Sequence, residues 1–257
     1  MKKFLAVLLA IITILSVCSF SAFAEDAAPS DVVASEEITD NPGIPENPDE
    51  PDNPDGPDNP DGPVIPDEPV PTLDDYEYVV RMYICATANS FTGHVWLYFE
   101  NLTECDVPIG YTTLAPHKGM SVGSLRNTRK DGGGTYYNGE AMMAMLKGKL
   151  DKVCAHTRTL KMDLTMDQLN TVNGKIKDKN AYEMIFYNCG VFATSVWNSV
   201  SNKKVVHVVL PIFTILNMSI LGAKKGELRM QEPDVAYKQT DDGCYVADNK
   251  SFRTSCV

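Results

Sequence analysis

The sequence has few of the patterns that bind metal ions, phosphates or nucleic acids. It contains only four histidines, and His117, His156 and His207 lack the paired spacing that a zinc site requires. The run Gly132–Gly134 is typical of a flexible loop rather than of a phosphate-binding turn between a strand and a helix. Two short basic pairs are typical of solvated turns, not of a nucleic-acid surface: Lys203-Lys204 and Lys224-Lys225. We therefore expect no metal, no cofactor and no nucleic-acid partner.

Acidic residues are absent from the first 24 positions. Lys2 and Lys3 precede an apolar run from Phe4 to Val17, and Ala22-Phe23-Ala24 follows. This order is typical of a secretory signal peptide with a small-residue cleavage site. The run is also shorter than the roughly 20 apolar residues of a spanning helix. The sequence thus predicts a cleaved signal peptide at residues 1–24, a secreted or cell-envelope location and no stable membrane span after cleavage.

Basic residues are absent from residues 25–75, which hold 17 acidic side chains. Prolines recur at every third position from Pro42 to Pro69, a period that aligns them along one edge of a polyproline II helix. We interpret this segment as a disordered acidic spacer that could span roughly 90 Å. A ligand for a proline-binding domain and a calcium-collecting strip are the alternatives. Residues 76–257 hold 21 basic and 17 acidic residues and are predicted to form one mildly basic domain.

The domain begins with segments typical of β-strands. Tyr78–Ala86 and Val95–Phe99 are rich in β-branched and aromatic residues, and a third strand is predicted through Val107–Thr113. The cluster Asp131–Gly134 predicts a loop, and Gly139–Leu150 a short helix.

Three further helices are predicted downstream. Thr165–Gln168 form a capping box, which predicts a helix over about 166–178. Asn188 is a favourable N-cap for a second helix with an apolar face, and a third is predicted over Ile212–Leu221. We interpret the surrounding apolar stretch, Val205–Ala223, as a buried core segment rather than a membrane span, since it is interrupted by polar residues and a proline.

Two residues fit roles in cysteine catalysis. His94 lies at the start of an apolar strand, and Cys189 falls in the first turn of the helix capped by Asn188. The positive end of a helix dipole and its unpaired amides favour a thiolate and can hold an oxyanion, and a nearby imidazole would complete a nucleophile–base pair. Plain alternatives stay open: a cysteine on an inward helix face is commonly a core residue, and a histidine at a strand start is commonly structural.

The cysteines also compete with the catalytic interpretation. Once Cys18 leaves with the signal peptide, six cysteines are left, at positions 85, 105, 154, 189, 244 and 256. An exported protein can pair all six in disulfides. A catalytic Cys189 would have to stay free, and the other five could then not all pair.

Two strings together resemble the circularly permuted branch of the NlpC/P60 superfamily of papain-like cysteine peptidases. They are GHVWLYFEN at Gly93–Asn101 and YNCGVFA at Tyr187–Ala193. The resemblance covers about residues 78–222, with the histidine strand before the cysteine helix. It implies an α+β fold in which a small antiparallel sheet packs on helices.

The resemblance also implies roles for the two residues. Cys189 would be the nucleophile and His94 the general base. The family normally adds a third polar residue on the strand after the histidine, but Val107–Thr112 has no His, Asn, Gln or acid at that place. Tyr111, Thr112 and His117 are the residues that could replace it.

The sequence therefore predicts a secreted cysteine hydrolase that cleaves amides, with cell-wall peptidoglycan peptides as the substrate class implied by the resemblance. Two alternatives are kept: a lipid acyl hydrolase or acyltransferase of the same fold, and a non-catalytic secreted binding domain. No oligomeric state is predicted.

Overall fold

The computed structural model describes residues 70–88, 93–128, 132–178, 188–207 and 211–252. The predicted signal peptide, most of the acidic spacer, Cys18 and Cys256 lie outside these residues. The described chain is of the α+β class, as expected from the sequence.

The strands of the described residues are β1 Val80–Thr87, β2 His94–Asn101, β3 Val107–Ile109, β4 Thr112–Leu114, β5 Gly119–Thr128, β6 Gly132–Tyr137, β7 Arg158–Leu164, β8 Lys224–Lys225, β9 Tyr237–Gln239 and β10 Cys244–Val246. Eight of them form one antiparallel sheet in the order β10-β9-β6-β5-β2-β1-β7-β8, and β3 and β4 form a separate hairpin.

The helices lie between and after these strands. They are α1 Gly139–Leu146, α2 Leu150–His156, α3 Met166–Lys177, α4 Cys189–Val200, α5 Pro211–Ile220 and α6 Asn249–Phe252, and a 3-10 helix at Leu73–Asp75 precedes β1.

Both faces of the central strands are buried, because successive side chains of a strand point to opposite sides. On the first face, Val95, Leu97 and Phe99 of β2 share a core with residues of α3, α4 and α5. On the second face, Trp96 and Tyr98 of the same strand share a core with residues of α1 and α2. Strand β2 thus lies between two different helical layers, which we call the first and second face below.

The predicted strands β1 and β2 are confirmed with small shifts of their ends. The single strand predicted through Val107–Thr113 is wrong. The chain reverses at Gly110, where φ is +58°, and forms the β3–β4 hairpin instead. A positive φ of this kind is readily adopted by glycine.

The region from 131 to 150 also differs from its prediction. The predicted glycine loop is wrong for Gly132–Gly134, which belong to β6 and pair with β5. The helix predicted over Gly139–Leu150 is two helices, since α1 ends at Leu146 and α2 begins at Leu150. Pairing with an existing strand decides the first case, because a sheet partner can override local preference.

The downstream helices are confirmed. Thr165 and Gln168 form the reciprocal capping box of α3, and Asn188 caps α4. In α5, Ile215 and Met218 are buried, but Leu216 and Ile220 are exposed, so the prediction of a buried core segment holds for one side of this helix only. Within the described residues, no helix combines the length and apolar character needed to cross a membrane.

Candidate active site

Cys189 is the first residue of α4, and its side chain is buried. The side-chain oxygen of Asn188 accepts hydrogen bonds from the amides of Gly190 (2.9 Å) and Val191 (3.1 Å). These two amides are thus engaged by the cap and do not serve an oxyanion. The amide of Cys189 itself is at the first helical position, where no carbonyl of the same helix can accept from it.

His94 is the first residue of β2 and joins two other polar side chains. Its Nε2 lies 3.1 Å from Oε1 of Glu140, and its imidazole is also close enough to the side chain of Cys189 to interact with it electrostatically. Since Nε2 faces Glu140, Nδ1 is the nitrogen left for the thiol. The structure thus brings together the two residues predicted from the sequence, and adds a carboxylate.

The electrostatics of His94 follow from these contacts. Burial lowers the pKa of its imidazole, but the interactions with Cys189 and Glu140 outweigh burial and raise the pKa to about 10. The imidazole is 16% exposed, so water screens these interactions only weakly. At neutral pH His94 is therefore an imidazolium held between a sulfur and a carboxylate.

Glu140 comes from the second face, in the first turn of α1. Its side chain is 4% exposed, and space for it exists because residue 123 of β5 is glycine. A Cβ atom at Gly123 would overlap Oε1 of Glu140. A carboxylate near the start of a helix is also favoured by the helix dipole.

Trp96 orients the imidazole from the same face. The rings of His94 and Trp96 are stacked, with centroids 5.4 Å apart and an interplanar angle of 15°. Both side chains lie on the second face because they are two residues apart in β2. The imidazole is therefore held by stacking on its face and by the hydrogen bond to Glu140 at its edge.

A second histidine lies beside the nucleophile helix, although His207 has no motif in the sequence. Its ring occupies the space over Gly190, where a Cβ atom would meet it. Its Nδ1 lies 2.7 Å from Oγ1 of Thr214 in α5. Gly190 thus allows a close approach between α4 and the segment that leads to α5.

The residues considered as third members of the site lie elsewhere. The Tyr111 hydroxyl donates to the carbonyl of Asp241, and His117 pairs with Glu104 on the surface. Thr112 belongs to the β3–β4 hairpin. Beside His94 the structure places Glu140 instead, 3.1 Å from Nε2, and a third role for Tyr111, Thr112 or His117 stays a prediction without a described contact to support it.

Glu140 is not among the residues predicted from the sequence, because the resemblance implies a third residue on the strand after the histidine. The carboxylate instead lies 46 residues after His94, on a helix of the opposite face. One signal for it exists: it is the only charged residue in the otherwise apolar stretch Gly139–Leu146.

The described cysteines, at positions 85, 105, 154, 189 and 244, are all free thiols. Cys189 therefore has no disulfide partner among them. The described residues also contain no group of three His, Cys, Asp or Glu side chains placed to hold a metal ion.

No protein-family model matches the chain, and neither does any curated protein or solved structure compared with it. The case for a function therefore depends on the geometry of the site.

Proposed function

We propose that this protein is a secreted cysteine hydrolase of the papain-like, circularly permuted NlpC/P60 type, which cleaves amide bonds in cell-wall peptides. The observation that carries the proposal is the chain of contacts from Cys189 through His94 to Glu140. The three residues come from a helix, a strand and a helix on the opposite face. A nucleophile, a base and a group that orients the base are the parts that cysteine catalysis requires.

The reaction uses these parts in two steps. The Cys189 thiolate attacks the carbonyl carbon of the scissile amide, and the His94 imidazolium gives its proton to the leaving amine. The product of this step is a thioester between Cys189 and the acyl group. Neutral His94 then removes a proton from water, which attacks the thioester and releases a carboxylic acid and the thiolate.

Two other groups support the transition states. The amide of Cys189 donates to the oxyanion that forms at the carbonyl oxygen. Glu140 accepts a hydrogen bond from Nε2 of His94 and stabilises the imidazolium, as the carboxylate does in catalytic triads. Its burial keeps this interaction strong, because the local dielectric is low.

The arrangement of elements supports the family assignment within this proposal. The histidine begins a central strand, and the cysteine begins a helix that packs on the same sheet, later in the chain. The position of Glu140 departs from the family pattern, in which the third residue follows on the next strand. This departure concerns how the imidazole is oriented, and it leaves the nucleophile and base in their expected order.

The experiment combines chemical labelling of free thiols with an assay of turnover. Native protein is treated with a neutral alkylating agent and mapped by mass spectrometry, and cleavage is assayed on muropeptides and on acyl esters. We expect rapid labelling of Cys189 and release of an amine from a muropeptide. Cys189→Ala and His94→Ala should each reduce turnover by about 10³-fold or more.

Cys244→Ser is the matched control, since Cys244 is a partly exposed thiol that donates to the carbonyl of Tyr111. It should keep full turnover. A Cys189 that is found in a disulfide, or that is labelled only after denaturation, would contradict the proposal. Turnover of acyl esters alone would overturn the amide substrate, and no turnover on either panel would favour a binding domain.

A further inference from the structure

Helix α5 exposes large apolar side chains to solvent. Leu216 is 58% and Ile220 84% exposed, while Ile215 and Met218 of the same helix are buried. Leu216 and Ile220 are four residues apart and therefore lie on one side of the helix. A surface helix normally exposes polar residues to solvent, so the exposed apolar side chains on this outer side of α5 are unusual.

Val206 extends this apolar side. It is 53% exposed, and its backbone N–H donates to the side-chain oxygen of Asn217, at 2.8 Å. Asn217 directly follows Leu216 in α5, so the backbone at Val206 lies beside this helix, near the turn that carries Leu216. We call Val206, Leu216 and Ile220 the apolar ridge.

Lysines lie close in the sequence to both ends of the ridge. Residues 201–226 contain four lysines and no acidic residue, and all four lysines, at positions 203, 204, 224 and 225, are exposed. Lys204 is two residues before Val206. Lys224 is four residues after Ile220, so their Cα atoms are within about 14 Å of each other. Among the described residues, Lys224 is paired with Glu227 at 3.1 Å, and Nζ of Lys204 donates to the carbonyl of Asn198 at 2.6 Å.

We propose that the apolar ridge and its lysines bind the surface of an anionic lipid bilayer. Large apolar side chains that enter the acyl boundary, with lysines placed at the headgroups, are the features of an interfacial helix. Anionic headgroups attract lysines within about a Debye length of the surface. The proposal concerns attachment to a lipid surface and does not rest on the proposed hydrolase function.

The charges favour a bilayer over the other occupants of this face. A second copy of the chain, docked through the same ridge, would bring lysines against lysines, and like charges oppose such a contact. The chain's own residues 25–69 have the complementary acidic charge, but they are mostly proline, aspartate, asparagine and small residues. They offer few large apolar side chains to cover Leu216 and Ile220.

A tryptophan placed on the ridge tests the proposal. The two native tryptophans, Trp96 and Trp197, are each 1% exposed, so an added exposed tryptophan reports its own surroundings. The full chain with Ile220→Trp is mixed with vesicles of phosphatidylcholine alone or of phosphatidylcholine with phosphatidylglycerol. We expect a blue-shifted emission with the anionic vesicles, reduced by high salt and absent with the neutral ones.

Val246→Trp is the matched control, because Val246 is 62% exposed on β10, at the far end of the sheet from β8. Its emission should not shift, and any contribution of residues 1–24 is common to both variants. Vesicle sedimentation supplies a second measurement: Leu216→Ser with Ile220→Ser should lower the partition coefficient at least about tenfold, and Lys203→Gln with Lys204→Gln should weaken binding to anionic vesicles only.

Three results would overturn the proposal. The first is no shift with anionic vesicles. The second is a shift without lipid that grows with protein concentration and accompanies a dimer mass, since a second copy would then cover the ridge. The third is a shift without lipid that disappears when residues 25–69 are deleted, since the acidic segment would then be the occupant.

Discussion

The two faces of the sheet differ in how their buried polar side chains are satisfied. On the first face, between the central strands and α3, α4 and α5, the buried side chains of Asn173 and Gln239 form hydrogen bonds with backbone groups of neighbouring segments. On the second face, several buried polar atoms lack such bonds. Four buried side-chain atoms there have no hydrogen-bond partner within the described residues: Thr87 Oγ1, Trp96 Nε1, Thr159 Oγ1 and Glu140 Oε2. On the first face, Oγ of Ser124 also has no hydrogen-bond partner within the described residues.

The two faces also contribute different residues to the site. The first face supplies Cys189 through an ordinary capped helix, whose stability comes from apolar burial. The second face supplies Glu140, and burying a carboxylate is unfavourable unless it is paired. His94 provides that pairing at the end of β2. We infer that the second face gives up some stability to place a charge, as functional sites often do.

The largest effect is expected from removing the buried negative charge of the second face, which Glu140 carries. Glu140→Gln keeps the shape of the side chain but takes away the negative charge that stabilises the His94 imidazolium. We expect turnover to fall by roughly 10²- to 10⁴-fold, by analogy with loss of the carboxylate from a triad. Steady-state kinetics with a circular-dichroism melt measures both activity and fold. Full turnover in a folded Glu140→Gln would show that Glu140 is structural.

A smaller effect is expected from closing the space that Glu140 occupies. In Gly123→Ala the new methyl group would overlap Oε1 of Glu140 and come within 3.1 Å of the Trp96 Cβ atom. The carboxylate must then move away from His94. We expect about a 10- to 100-fold loss of turnover and about 1–3 kcal/mol lower free energy of unfolding.

Gly174→Ala is the matched control on the first face. It lies in α3, and an added Cβ atom meets nothing within 4 Å. Alanine should stabilise this helix by up to about 1 kcal/mol, with unchanged turnover. Chemical denaturation and kinetics on both variants check the pair, and equal effects at the two glycines would remove the distinction between the faces.

The sequence could predict features that depend on local patterns, but not those that depend on contacts between distant segments. The cap at Asn188, the capping box at Thr165 and the strand around Trp96 are local patterns, and the structure confirms them. Glu140 acts through a contact 46 residues away, which requires α1 to lie across the end of β2. Gly132–Gly134 joins a strand only because β5 is beside it. Contacts between distant segments decide both features, and such contacts cannot be predicted from the local spacing of residues.

The pH dependence of His94 tests whether both faces act on it. Its pKa is raised to about 10, so His94 keeps the proton for the leaving amine at neutral pH and loses it as the pH rises through about 10. We expect the alkaline limb of kcat/KM near this pH, with about a tenfold fall per pH unit beyond it. Titration of the His94 ring by NMR measures the pKa without a substrate.

In Glu140→Gln the limb should move to lower pH, because one of the groups that raise the His94 pKa is gone. Glu104→Gln is the control, since Glu104 pairs with the exposed His117 instead. An alkaline limb that stays in place in Glu140→Gln would mean that the first face alone, through Cys189, sets the pKa of His94.

The smallest effect is expected from removing helix caps. Two caps on the first face can be compared, one at the start of α3 and one at the start of α4. Thr165 accepts from the amide of Gln168, and Asn188 accepts from the amides of Gly190 and Val191. Thr165→Ala and Asn188→Ala should each lower the free energy of unfolding by about 1 kcal/mol. Only Asn188→Ala should also lower turnover, by about fivefold, because α4 positions Cys189 against His94. Equal turnover in the two variants, measured beside their denaturation curves, would show that the start of α4 tolerates fraying without loss of the contact between Cys189 and His94.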